Sequence, residues 1–182
     1  MTTPSNSWLV QQMQLLLTGY GYNFYDKKNM ARADDLLVRQ KAASSLGDAK
    51  QALANLEMEF QRRYIPPATR ENPYPPTGAM DKLRDIATLR QRIDGLEGQI
   101  RGMSVPTQDK TWWRFREEQN LLNQLLTFDY ELLRQTEQVF QWVRGLTPES
   151  WQSGPGRSGF DMPLQQLDNL TRDRQRFLMI PN

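Results

Sequence analysis

The amino-acid sequence predicts an all-α protein: an elongated antiparallel helical bundle with coiled-coil-like packing, two long helices plus three shorter ones. Three observations carry this. Apolar residues recur at steps of three and four through most of the 182 residues. No segment alternates apolar and polar with the period of two that a half-buried strand requires. The prolines fall between the periodic stretches, where they end helices.

The first helix is predicted over residues 5–18. Ser5, Asn6 and Ser7 are all good N-caps, Leu9, Met13, Leu16 and Tyr20 share helical spacing, and Gly19 is a natural stop. An aromatic loop follows, Gly19-Tyr20-Gly21-Tyr22-Asn23-Phe24-Tyr25. A long helix then runs over 26–64, with Asp26 as its cap. Met30, Ala33 and Leu37 mark its early apolar stripe, and Leu46, Ala49, Leu53, Leu56 and Phe60 form the later seam. Ser44-Ser45-Leu46-Gly47 is its weak point, a stretch that admits a kink.

Pro66-Pro67 ends that helix, and the five prolines of 66–78 impose an extended connection. The third helix spans 79–103, with Ile86, Leu89, Ile93, Leu96, Ile100 and Met103 on one stripe. Beside them lie Gly95, Gly98 and Gly102. A mid-helix glycine costs about 0.5–1 kcal/mol against alanine, so the glycine stripe predicts a backbone packed closely on it. After a turn at Pro106, a fourth helix is predicted without interruption over 107–144. Its stripe is Leu122, Leu125, Leu126, Leu132, Leu133, Val139, Phe140 and Val143. The predicted organisation is a bundle over 1–150, a flexible glycine-rich linker over 151–162, and a C-terminal helix over 163–182 that packs on the bundle or on a partner.

The composition removes whole classes of chemistry. The chain has no histidine and no cysteine. Serine or threonine nucleophiles therefore lack their usual base, and the Glu-x-x-His sites that hold two metals in helical bundles cannot be built. No metal or cofactor is predicted. All-carboxylate magnesium sites are the remaining option, at Asp34-Asp35, Asp81 with Asp85, Glu57 with Glu59, or Glu117-Glu118. Lys82, Arg84, Arg114 and Arg116 stand beside several of these acids, a pattern of solvated ion pairs. Gly154-Pro155-Gly156-Arg157-Ser158-Gly159 matches the letters of a dinucleotide-binding loop. That loop needs a strand before it and a helix directly after it; here a helix precedes it.

With 23 basic and 21 acidic residues the net charge is only +2, too little for a broad field toward nucleic acid. Arg172, Arg174 and Arg176 alternate with Asp173 and Gln175 and point to different sides of a helix. No apolar run is long enough to span a bilayer. No basic residue precedes Trp8, against a secretory signal, so a cytoplasmic location is expected.

What remains is binding. Tyr20, Tyr22, Phe24 and Tyr25 lie next to Lys27 and Lys28, while Trp112 and Trp113 lie between Lys110 and Arg114. Such aromatics either cap the open end of the bundle, anchor a protein partner or stack nucleic-acid bases, and Tyr and Trp are typical anchors of protein interfaces. The up-down course of the helices predicts that both groups meet at one end, as a partner surface rimmed by Lys27, Lys28 and Arg114. The tail Phe177-Leu178-Met179-Ile180-Pro181 also lacks an evident surface to pack on. The expected function is a non-catalytic protein-interaction module: an adaptor, assembly factor or subunit of a larger complex. Its partner is another protein, with self-association an open alternative. A magnesium-dependent hydrolase of phosphate compounds is the runner-up, and weak nucleic-acid binding comes third.

Overall fold

The computed structural model describes residues 6–17, 31–70, 73–106 and 109–179. Among these residues there is no strand. Seven α-helices form: α1 (Asn6–Leu16), α2 (Ala31–Tyr64), α3 (Ala79–Arg101), α4 (Asp109–Glu117), α5 (Gln119–Arg144), α6 (Pro148–Ser153) and α7 (Asp161–Leu178). A 3₁₀ turn, Gly156–Phe160, joins the last two.

Four helices make the frame. Helix α2 is flanked by α3 on one side and α5 on the other, and α7 closes the ring against α5 and α3. Side-chain bridges give the directions. Lys50 reaches Asp94 and Arg90 reaches Glu57, so α2 and α3 run antiparallel. Ser45 donates to Glu137 at 3.1 Å, and Arg63 pairs with Glu149, so α2 and α5 run parallel. Arg92 pairs with Asp161 and Gln175 donates to the Ser104 carbonyl, so α3 and α7 run parallel. Helix α1 packs on α5, and α4 on α5 and α2.

The predicted stripes fill the core. Leu46, Ala49, Leu53, Leu56 and Phe60 are buried, as are Ile86, Leu89, Ile93, Leu96 and Ile100 on α3, Met103 just past its end, and the α5 stripe from Leu122 to Val143 except Phe140, which is partly buried. Helix α2 continues unbroken through 44–47 in place of a break; Ser45 there is buried.

Three expectations are corrected. The early stripe of α2 faces inward through Asp34, Asp35, Val38 and Ala42, while Ala33 is exposed and Leu37 only partly buried. The fourth helix is two: Glu118 adopts an extended conformation (φ −88°, ψ 98°) between α4 and α5. The segment 151–162 is structured where a linker was expected. Trp151 is buried and its indole N–H donates to the Lys82 carbonyl at 3.0 Å, while Lys82 Nζ donates to the Gly154 carbonyl at 2.9 Å. Its glycines serve the turn, since Gly156 has φ +63° and lies against Asp85 and Trp151. Phe177 and Leu178 of the tail pack on the bundle, one of the two surfaces expected for the C-terminal helix, while Ile180 and Pro181 lie outside the described residues. Leu178 is buried, and the Phe177 ring lies 5.4 Å from both Phe115 and Phe128.

Candidate functional site

A concavity follows the seam between α3 and α7. One part, about 650 Å³, is lined by Gly98, Gly102, Met103, Thr171, Gln175 and Arg176 among others. A second part, about 300 Å³, continues it past Gly95, Leu164 and Asp168; Gln99 and Arg172 line both. Gln99 stands on the α3 side of this groove, and between it and the apolar stripe α3 presents glycine. A Cβ built on Gly95 or Gly98 would meet nothing within 4 Å. The backbone expected to pack on the glycine stripe is therefore absent among the described residues, and the stripe forms an open floor.

Beneath the wide end lies a buried ionic network. Arg174 of α7 is fully buried, as are Asp34 and Asp35 of α2 and Asp129 of α5. The Arg174 guanidinium donates from Nε to Asp129 Oδ1 at 2.6 Å and from Nη2 pairs with Asp129 at 2.5 Å and Asp35 at 3.0 Å. Its Nη1 lies 3.8 Å from the Met103 sulfur on the groove wall. Asp35 also takes a hydrogen bond from Arg39 Nε at 3.0 Å. Arg39 Nη1 in turn reaches the carbonyls of Arg101 and Met103. A cation thus meets the C-terminal carbonyls of α3, where the helix dipole favours it.

No protein-family model, curated protein or solved structure matches the chain.

The groove and the network must therefore be read from their own chemistry. Among the described residues no three carboxylates gather to hold a metal. Of the acids considered for magnesium, Asp81 pairs with Arg84, Asp85 with Arg157, Glu57 with Arg90, and Glu118 with Arg114. Asp34 and Asp35 lie in the core beside the arginines. Arg174 is held inside the network, so of the three alternating arginines of α7 only Arg172 and Arg176 face solvent. Among the described residues no helix is long and apolar enough to cross a membrane.

Tyr20, Tyr22, Phe24, Tyr25, Lys27 and Lys28 lie outside the described residues. The other aromatic group divides. Trp112 is buried, with its indole N–H donating to the Pro106 carbonyl at 2.9 Å and its ring 6.2 Å from Phe115. Trp113, on the next helical position, is 60% exposed, and Arg114 beside it pairs with Glu118. Helix α4 lies near the start of α2, because α3 ends beside Arg39 and the chain turns there. The groove and the network escaped sequence reasoning. The glycine stripe was their only signal, and it did not say whether the stripe was covered.

Proposed function

We propose that this chain is a non-catalytic helical protein-interaction module that receives a segment of another protein in the α3–α7 groove. The observation that carries the reading is the bare glycine floor. Each of Gly95 and Gly98 costs helix stability, about 0.5–1 kcal/mol, and no group among the described residues uses the space gained. A partner backbone is the object that such space admits, as at other closely packed helix contacts. The groove offers Gln99, Gln175, Arg172 and Arg176 as polar donors around Met103 and Thr171, a mixture suited to a peptide surface. Trp113 is a second contact, and with Tyr20, Tyr22, Phe24 and Tyr25 it makes up the aromatic surface of the reading, rimmed by Lys27, Lys28 and Arg114. An adaptor or assembly role in the cytoplasm goes with it.

The test is a pair of variants. Cross-linking in the native cell, followed by identification of the attached peptides, defines the partner and its contact point. Gly98→Leu fills the floor from a solvent-facing position and is expected to abolish the cross-link while leaving the melting temperature unchanged or higher. Trp113→Ala is expected to weaken it without loss of helicity. A cross-link of wild-type strength in Gly98→Leu rejects the groove as the docking site. Magnesium-dependent binding of a phosphate compound in a calorimetric titration would instead favour the hydrolase reading.

A further inference from the structure

We propose that α7 is a charge-keyed latch: Arg174 fixes its seat on Asp35 and Asp129, and its segment 164–178 opens as a unit while α2, α3 and α5 stay folded. The buried positions of α7 are Leu164, Leu167, Thr171, Arg174 and Leu178, a heptad seam with steps of three, four, three and four. Two of the five are polar. Their facing helix answers in kind, because Asp129 and Thr136 interrupt the apolar stripe of α5. Polar residues at seam positions select register, since a slip leaves a charge buried without its partner. Sliding α7 by one turn moves the guanidinium about 5.4 Å along the axis, away from both carboxylates.

The same chemistry makes the seat openable. Burying charges costs most of what their attraction returns, so an ionic seam holds a helix less firmly than an apolar one of equal area. On opening, Arg174, Asp35 and Asp129 regain water, and Asp35 keeps its hydrogen bond from Arg39 on the same helix. The charged groups around the seat are Asp34, Asp35 and Arg39 from α2, Asp129 from α5 and Arg174 itself, with the Met103 sulfur alongside. Leu164, Leu167 and Leu178 of α7 belong to the same core as the frame, but the most extensive helix contacts, α2 with α3 and α2 with α5, do not involve α7. Helices α2 and α3 meet through Leu53, Leu56, Phe60, Ile86, Leu89, Ile93 and Ile100, and α2 and α5 through a further apolar face. The chain before α7 is pinned separately by Trp151 on Lys82. Phe160 is buried and Asp161 is bonded by Arg92, so the chain stays anchored up to the first turn of α7 and the segment that opens is 164–178.

Amide hydrogen exchange on the full chain at neutral pH tests this. Segment 164–178 is expected to exchange at least about tenfold faster than segments 86–100 and 125–139, reporting a sub-global opening. Asp129→Asn keeps the shape and removes one counter-charge. It is expected to speed exchange in 164–178 by at least another factor of about ten while leaving 86–100 unchanged. Arg174→Lys keeps the charge without the forked donors and should give a smaller rise of the same kind. The proposal is overturned if 164–178 and 86–100 exchange at one rate in the wild type. It is equally overturned if Asp129→Asn accelerates both segments together, general unfolding included, or neither.

Discussion

Trp112 and Trp113 are neighbours in sequence and opposites in environment, and the contrast makes a sharp prediction. Trp112 is buried and hydrogen-bonded, so Trp112→Ala is expected to cost about 3–5 kcal/mol in chemical denaturation. Trp113 is mostly exposed, so Trp113→Ala should stay within about 0.5 kcal/mol of wild type. Equal losses from the two would show that the α4 face is assigned wrongly. Lys50 makes a prediction about pH. Its hydrogen bonds to Asp94 and then Glu97 raise the lysine above its ordinary value, and the bond from Lys50 holds Asp94 below the ordinary carboxylate value. The lysine's contribution is full below its ordinary value and fades as pH rises through the raised one. The Asp94 contribution is full above the ordinary carboxylate value and fades as pH falls through the lowered one. Lys50→Met should therefore flatten the pH profile of stability at both ends. Because the pair is solvent-facing, the change should shrink in high salt. A profile with unaltered limbs would mean that the bridge is not populated in solution.

At the scale of elements, α3 carries a feature that runs against its own helix propensity. Gly95 and Gly98 lie mid-helix with open space where a Cβ would stand. Gly98→Ala is accordingly expected to stabilise the protein by about 0.5–1 kcal/mol, measured as a shift in the urea midpoint. Destabilisation would mean that the groove is filled in solution. Helix α5 illustrates the opposite case, with Leu125 and Leu132 both fully buried. Leu125→Ala should cost about 2–5 kcal/mol, and an unchanged denaturant midpoint would refute the core assignment. The break at Glu118 matters here too. It separates the axis of α4 from that of α5 and lets Phe115 turn onto Phe177 of α7. An uninterrupted helix would have had to serve both neighbours from one straight stripe.

Across the whole molecule, α2 is the element on which the others are arranged. It contacts α3 and α5 along their lengths, and α7 completes the ring from the far side. The charged network sits where that ring closes, with groups from α2, α5 and α7 and the end of α3 held by Arg39. The groove runs along the outer side of the same closure. The packing that secures α7 and the surface it offers are thus two sides of one helix pair. A far-ultraviolet circular dichroism spectrum dominated by helix is expected for the intact chain, and a spectrum dominated by sheet would contradict the fold.

The helical class and most of the core were legible in the residues alone. Spacing by three and four is a local property of the backbone, so Leu53, Leu56, Phe60, Leu96, Ile100, Leu125 and Leu132 could be placed inside without knowing their neighbours. The absence of histidine and cysteine likewise needs no coordinates. The fate of the polar residues at seam positions was decided only by tertiary structure. Nothing in the sequence marked Asp34, Asp35, Asp129 and Arg174 as one buried group, because a charge is tolerable in a core only when a specific partner from a distant segment reaches it. The same holds for segment 151–162. Its glycines and prolines permit many paths, and only the burial of Trp151 against α3 selects one. The glycine stripe of α3 announced unusual packing, but whether a neighbour covers it depends on where α7 lies. That is fixed by one guanidinium between two carboxylates 45 and 139 residues away in the chain, a contact no local pattern can announce.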